Sequence, residues 1–328
     1  MKPVFAVLLF AGLSLAIGLI AWQGFGEVTG VLAQGGWRLL WLPPCYLIYF
    51  LADTLAWKCL LAPASGRVAF LYFSNLIGGA VNSLLPVGQV GGDAVRARIL
   101  IRSGIQAPES VASIIVEKTL QAATIVFFAL IGLCLLVLKV GDVPVSKGVL
   151  VFALLLTAGI FIFYRLQHNG IFSFIVRFFK TDLPAGQPAP LVVGAAAVDA
   201  AVLALYKAPW PLLKSLLWLV IFRLAMAGEV YMALHFLGHP VGIIDSIILQ
   251  SLGQAARAAA FLVPGALGIQ EGGFLVVGLA LGMGAEMGLA LSLAKRVREL
   301  LIGLPGLMVW HISETRYWKQ GWDERGSS

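Results

Sequence analysis

Uninterrupted apolar stretches of 18 residues or more recur along the chain, and they constrain its fold more than any other feature. About 20 apolar residues in a helix cross the roughly 30 Å hydrocarbon layer of a membrane. Of the 328 residues, 60% are hydrophobic and only 12% are charged, whereas soluble domains carry about a quarter charged residues. The sequence therefore predicts an all-α polytopic membrane protein, a single transmembrane domain over residues 1–328, and excludes a soluble enzyme.

The apolar stretches predict six full transmembrane helices. The first follows Lys2 and could be a signal peptide, but no clean cleavage site follows it, so we interpret it as a retained span. The predicted spans are residues 4–22, 38–60, 111–138, 148–166, 212–237 and 286–310.

Two further apolar segments, 68–102 and 243–282, are interrupted by Pro86 and Pro264. A proline inside a helix removes a backbone hydrogen bond. Such breaks persist at membrane depth only where they are buried in protein or line a cavity. We therefore predict two re-entrant or broken helical hairpins, helped by the glycines that follow each proline: Gly91, Gly92, Gly272 and Gly273.

The connector 167–211 is predicted to lie at the cytoplasmic interface. Residues 171–180 combine large apolar side chains with two basic ones, and 191–206 are only weakly hydrophobic. With the N-terminus inside, thirteen Lys and Arg residues fall on the cytoplasmic side and three on the other. Because basic residues favour the cytoplasmic side, both termini are predicted there. The basic residues stand singly, so nucleic acid is not an expected partner.

An internal repeat is suggested by the spacing of the two broken segments. Pro86 and Pro264 lie 178 residues apart, and each stands 31 residues before a charged pair that begins with Glu117 or Lys295. The predicted units are 38–138 and 212–310. Counted from the start of the first unit, three full spans (38–60, 111–138 and 148–166) precede the second unit, so the second unit would be inverted. Paired broken helices in inverted repeats indicate a transport site near the bilayer midplane; the alternative is that such kinks recur by chance.

Fourteen charged residues lie within or beside the apolar segments, where an ionised side chain costs at least about 2.5–3.5 kcal/mol. They must pair or face water. Helical spacing predicts the pairs Lys295–Glu299 and Asp93–Arg96. The charged residues are Asp53, Lys58, Asp93, Arg96, Glu117, Lys118, Arg223, Glu229, Arg257, Glu271, Lys295, Arg296, Arg298 and Glu299.

These charges favour a polar cavity, although salt bridges that only hold the bundle together are the alternative. Arginine suits bidentate phosphate binding, and helix starts after the two prolines would offer backbone N–H groups to an anion. The predicted substrate-binding residues are Arg257, Glu271, Lys295, Arg298, Glu299, Asp93, Arg96, Glu117, Gln89 and Gln270. The three cysteines and four histidines are scattered, so no metal, cofactor or catalytic residue is predicted.

Three segments carry a family resemblance: "NSLLPVGQVGGDAVRAR" (82–98), "FLVPGALGIQEGG" (261–273) and "LAKRVRELLIGLPG" (293–306). They resemble a hopanoid-biosynthesis-associated membrane protein family. That family lies within the flippase-like group related to the membrane domain of lysylphosphatidylglycerol synthases. The resemblance implies a lipid-handling role in a bacterial inner membrane, with a hopanoid as one candidate lipid. Those synthases carry a soluble catalytic domain after their spans, whereas this chain ends at Ser328, so transferase activity is not expected.

Three functions stay open from the sequence. The first is a lipid transporter or flippase for a polar or anionic lipid, with membrane lipids as its partners. The second is a membrane-embedded enzyme acting on a polyprenyl or hopanoid lipid, although no suitable carboxylate cluster or Ser/His pair is visible. The third is a non-transporting scaffold for lipid-biosynthesis enzymes.

Overall fold

The structure is a computed structural model, and it is helical throughout the part it describes, with no strand there. The described residues include two sets of four consecutive helices, called the first unit and the second unit, with a cavity between them. In both units the third helix is the shortest and the fourth is the longest. The structure describes residues 30, 32–63, 65–85, 90–141, 144–170, 190–260, 263, 266 and 268–326. The predicted span 4–22 and the predicted interfacial segment 171–180 lie outside the described residues.

The first unit begins with a short 3₁₀ turn, Gly36–Trp41, that runs directly into a helix. Its four α-helices have 17, 17, 12 and 34 residues, in chain order. They are α1 (Leu42–Lys58), α2 (Val68–Leu84), α3 (Gly91–Arg102) and α4 (Ala107–Val140).

Two helices connect the units: α5 (Pro144–His168) and α6 (Pro190–Tyr206). Helix α6 packs against α4 and also contacts α5 and the first helix of the second unit. The predicted location of residues 191–206 at the membrane interface stays a prediction.

The second and third helices of the second unit repeat the lengths of their counterparts in the first unit. These two short helices have 17 and 12 residues, the same as α2 and α3. The four helices are α7 (Pro209–Phe236), α8 (Ile243–Ala259), α9 (Ile269–Ala280) and α10 (Ala285–Gly326).

Both broken segments are interrupted where the prolines predict. Helix α2 ends at Leu84, and Leu85 has extended backbone angles (φ −101°, ψ 144°), as steric contact with a following proline requires. Helix α8 ends at Ala259, and Gly268 precedes α9 at a φ of +77°, a left-handed conformation that favours glycine. The two prolines themselves lie outside the described residues. Each segment is thus a pair of short helices.

Helices α2 and α3 approach so closely that glycine is needed at their contact. A Cβ on Gly92 would lie 1.9 Å from the carbonyl oxygen of Gly78, and a Cβ on Gly78 would lie 2.6 Å from the Arg96 side chain. The same contact recurs between α8 and α9, where a Cβ on Gly253 would lie 2.8 Å from the Phe274 ring. Small residues allow close backbone approach in membrane helices.

The two units pack on each other reciprocally. Helix α1 packs on α7, its counterpart, while α2 packs on α10 and α4 packs on α8. The last two pairs are equivalent, because each joins the first short helix of one unit to the last helix of the other. Reciprocal contacts of this kind are characteristic of an approximate two-fold relation.

Counterpart helices α1 and α7 run antiparallel. Cys45, early in α1, contacts Met232, late in α7, whereas Phe50 packs against Phe222. The pair α4 and α8 is also antiparallel, because Lys139 at the end of α4 is paired with Asp245 at the start of α8.

Large apolar side chains cover the outside of the bundle. Trp210 and Leu217 on α7 and Leu155 and Phe161 on α5 are more than half exposed. Exposed apolar surface on this scale is typical of contact with lipid. Among the described residues, three helices are long and apolar enough to cross a membrane: Leu32–Lys58, Ala107–Val140 and Pro209–Phe236.

Candidate functional site

A polar cavity of about 310 Å³ lies between the two four-helix units. Helices α1 to α4 of the first unit and α7, α8 and α10 of the second contribute to its wall. The lining residues are Tyr46, Phe50, Asp53, Asn75, Gly78, Gly79, Asn82, Ser83, Asp93, Arg96, Lys118, Gln121, Ala122, Ile125, Phe222, Arg223, Met226, Gln254, Arg257, Arg298 and Glu299.

On the first-unit side, two cations share two carboxylates. The Arg96 guanidinium donates to Glu117 at 2.5 Å and to Asp93 at 3.2 Å, and it lies over the Trp57 ring at 3.9 Å. Lys118 Nζ lies 3.2 Å from the same Asp93 oxygen. The predicted pair Asp93–Arg96 is confirmed.

Asp53 is held by amides rather than by a cation. Asn75 donates to one of its oxygens at 3.0 Å, and Gln121 donates to the other at 2.8 Å. Among the described residues no Lys or Arg nitrogen lies within ion-pair distance of this carboxylate. The carboxylate is only 4% exposed, so the two hydrogen bonds from side-chain amides replace the hydration that it loses on burial.

On the second-unit side, Glu229 is the centre of one cluster. It accepts two contacts of 2.6 Å from Arg298 and a 2.5 Å hydrogen bond from the Tyr49 hydroxyl. Lys295 Nζ lies 3.9 Å from Glu229 and donates to Gln250 at 2.6 Å. The predicted pair Lys295–Glu299 is wrong, because the lysine reaches toward α7 and α8 instead of along its own helix.

Glu299 belongs to a second cluster that reaches from the cavity into the protein. Arg257 lies 2.5 Å and Arg296 2.9 Å from its oxygens. Arg296 also lies 2.9 Å from Glu271, and Arg257 donates to Gln270 at 2.8 Å. The cluster therefore joins the cavity wall to the start of α9.

The ion pairs repeat between the units at the 178-residue offset that the two prolines share. Asp93–Lys118 corresponds to Glu271–Arg296, and in both pairs a carboxylate in the first turn of the second short helix contacts a cation on the following long helix. The 178-residue spacing thus recurs in side-chain contacts as well as in the sequence.

The predicted site residues fall into two groups. Arg257, Arg298, Glu299, Asp93 and Arg96 line the cavity. Four others are not part of its lining and lie buried behind it: Glu117, Gln270, Glu271 and Lys295. Gln89, like both prolines, lies outside the described residues.

One backbone N–H at the start of α3, where an anion site is predicted, already has a partner within the protein. The Gly92 N–H donates to the Asn82 side chain at 2.7 Å. Gly91 begins the same helix, and Gly272 and Gly273 stand in the first turns of α9.

Sequence reasoning misses several residues that the structure places on the cavity wall or directly behind it: Asp53, Lys118, Arg223, Glu229, Arg296 and Tyr49. All of these except Tyr49 are visible in the sequence as charges in apolar segments, which is the available signal. Tyr49 gave no signal, because a tyrosine in a membrane span is unremarkable until its hydroxyl meets a carboxylate. Within the described part of the chain, no group of three His, Cys, Asp or Glu could hold a metal ion.

The fold and cavity define a class: a helical membrane protein with a charged internal site between two units of like construction. The chain belongs to the family described as the lysylphosphatidylglycerol synthase TM region, whose model matches residues 9–306. Membership supports a membrane location and a lipid-related function. The comparisons with curated proteins and with solved structures give no match.

Proposed function

We propose that this protein is a lipid transporter that takes a polar or anionic headgroup into the cavity while the acyl or polycyclic tail stays in the bilayer. The observation that carries the proposal is the charged cavity between the units, which five cationic side chains line. Charges at membrane depth are expensive and are usually functional. A cavity of about 310 Å³ suits a headgroup, since pockets for small molecules begin near 300 Å³.

The two units form an inverted repeat in this proposal. Antiparallel packing of the counterparts α1 and α7, together with the repeated Asp93–Lys118 and Glu271–Arg296 pairs, supports it. The α2–α3 and α8–α9 pairs would be re-entrant hairpins, the first entering from the cytoplasm and the second from the opposite face. Transporters built this way place their substrate near the midplane between the repeats.

An asymmetry between the units supports alternating access. Helix α3 lines the cavity, whereas its counterpart α9 does not. Likewise Lys118 is 37% exposed in its pair with Asp93, whereas the equivalent Arg296 is 14% exposed. A transporter of this kind alternates between two states. In the state opposite to this one, the cavity would open beside α9 and close beside α3, because the two repeats exchange their conformations when such transporters rock.

Arg257 and Arg298 are the proposed headgroup ligands on the second unit, with Arg96 facing them from the first. The carboxylates Glu117, Glu229 and Glu299 would orient these cations. Glu271 would act through Arg296, which it shares with Glu299. The cargo is a membrane lipid, and the family resemblance adds a polar hopanoid derivative as one candidate. We place the protein in the inner membrane with both termini in the cytoplasm, and lipid-biosynthesis enzymes as candidate partners.

The test is lipid translocation in proteoliposomes that hold the full chain and a fluorescent phospholipid or hopanoid analogue. We expect the wild type to move the analogue faster than protein-free vesicles and Arg257→Gln to lose most of that rate. Lys214→Gln is the matched control, because it removes an exposed cation from α7, outside the cavity lining. Equal rates in wild-type and empty vesicles would refute transport, and conversion of the analogue to a new product would favour an enzyme.

A further inference from the structure

Arg223 is a buried cation on the cavity wall with only neutral partners. Its side chain is 6% exposed. It contacts the Thr124 hydroxyl at 3.4 Å, the Gln121 carbonyl at 3.3 Å and the Met226 sulfur at 3.8 Å. Both contacts to oxygen are longer than the roughly 2.7–3.2 Å that is usual for N–H···O hydrogen bonds.

The other four cations on the wall each have a carboxylate. The nearest carboxylate oxygen lies 2.5 Å from Arg96, 3.2 Å from Lys118, 2.5 Å from Arg257 and 2.6 Å from Arg298. For Arg223, no carboxylate among the described residues lies within 4.0 Å. A buried guanidinium without a counter-ion is costly, so its retention requires a reason.

The charge count of the site also indicates that one negative charge is missing. Among the described residues, the cavity lining and the ion pairs directly behind it contain seven cations and six carboxylates, so one positive charge is in excess when all of them are ionised. The cations are Arg96, Lys118, Arg223, Arg257, Lys295, Arg296 and Arg298. The carboxylates are Asp53, Asp93, Glu117, Glu229, Glu271 and Glu299.

Asp53 does not remove this excess. It is already one of the six carboxylates, and both its oxygens accept amide hydrogen bonds from Asn75 and Gln121. Gln254, which lines the same cavity, has no hydrogen-bond partner among the described residues and is free to donate to a ligand.

We infer that Arg223 is the binding residue for a single negative charge, so that the cavity takes the monoanionic oxyanion of a headgroup, such as a phosphodiester. The inference rests on the proposed function and narrows its substrate class. One bound monoanion neutralises the site, whereas a cation would double the excess and a dianion would reverse it. The planar guanidinium can donate two parallel hydrogen bonds to two oxygens of a phosphodiester.

Ligand-dependent stabilisation of the purified full chain in detergent tests this inference. A ligand that binds only the folded protein raises its melting temperature. The probes are short-chain phosphatidylglycerol, which is monoanionic, short-chain phosphatidylcholine, which is zwitterionic, and dimethyl phosphate, a soluble monoanionic phosphodiester. Stabilisation by dimethyl phosphate would show that the anion alone suffices. Stabilisation by phosphatidylglycerol only would show that the lipid tail is also required.

We expect phosphatidylglycerol to raise the melting temperature of the wild type and phosphatidylcholine to raise it far less. In Arg223→Gln, the apparent Kd for phosphatidylglycerol should rise at least tenfold, whereas Lys214→Gln should keep it within twofold. Arg223→Lys should give an intermediate Kd, because an ammonium keeps the charge without the paired donors. Without lipid, Arg223→Gln should melt no lower than the wild type, since it removes an unpaired buried charge.

Unchanged phosphatidylglycerol binding in Arg223→Gln, or equal stabilisation of the wild type by both phospholipids, would overturn the inference. Should Arg223→Gln fail to fold, Arg223→Met takes its place, because it also removes the charge, and wild-type binding in that variant would equally overturn the inference. The binding test and the translocation test fail in different ways. Lipid binding without translocation refutes transport alone. Translocation at a rate that does not depend on headgroup charge refutes only the role of Arg223.

Discussion

Removing the Glu229 carboxylate is the change that should destabilise the fold most clearly. Glu229 is 2% exposed and joins α7 to α10 through Arg298, at two distances of 2.6 Å, and to α1 through the Tyr49 hydroxyl at 2.5 Å. It is also the only carboxylate, among the described residues, within 4.0 Å of Lys295. In Glu229→Gln, both cations lose this partner while they stay buried.

The expected cost follows from that geometry. Removing one member of a buried ion pair costs about 3–5 kcal/mol, because the remaining charge is left uncompensated. Glu299 lies 3.6 Å from Arg298 and offsets part of the loss, so we expect the lower end, about 3 kcal/mol. That corresponds to a roughly hundredfold change in the unfolding equilibrium.

The assay is equilibrium unfolding of the purified protein in mixed detergent micelles. The control is Asp245→Asn, because Asp245 is 14% exposed and its partner Lys139 is 47% exposed; exposed pairs contribute about 0–1 kcal/mol. A second variant, Glu229→Gln with Arg298→Met, should recover part of the loss. Equal unfolding free energies for Glu229→Gln and Asp245→Asn would refute the claim that the buried cluster holds the helices together.

Two further predictions concern helix α2 and its contacts. Gly92→Ala should destabilise the fold by about 1–3 kcal/mol through overpacking. Gly79→Ala should not, because a Cβ at that position meets nothing within 4 Å. Thermal unfolding of both variants checks this prediction, and equal melting temperatures would contradict it. In a background without native cysteines, Ser83→Cys, on the cavity wall, should react with a water-soluble maleimide in membranes, whereas Ser74→Cys, 2% exposed, should not. Equal labelling of the two would argue against a hydrated cavity.

The helices were predictable because long apolar stretches and prolines act locally. Within the described residues, predicted spans such as 111–138 and 286–310 lie inside Ala107–Val140 and Ala285–Gly326. The breaks near Pro86 and Pro264 were also predictable, since a proline restricts the residue before it. Leu85 has that extended conformation.

The partners of the buried charges were not predictable from spacing along one helix. Lys295 and Glu299 are one turn apart, but each binds a residue of another helix. These partners are far away in the sequence, and only the packing of the helices brings them close. Asp93 and Arg96 do pair, because both remain on the face that α4 contacts. Glu229 and Arg223 share α7, but Glu229 pairs with Arg298 on α10, whereas Arg223 contacts neutral groups on α4 and α7. That difference depends on which neighbouring helix each side chain meets.

Photo-cross-linking from the headgroup tests the central claim most directly, that a lipid headgroup enters the cavity between the two units. The probe is a phosphatidylglycerol analogue with a photoreactive group on its glycerol, activated in proteoliposomes and mapped by mass spectrometry. We predict labels on cavity-lining residues such as Ser83, Gln121 and Gln254, reduced by excess unlabelled phosphatidylglycerol. Labels confined to the outer apolar surface, at residues such as Trp210 and Phe161, would contradict the account.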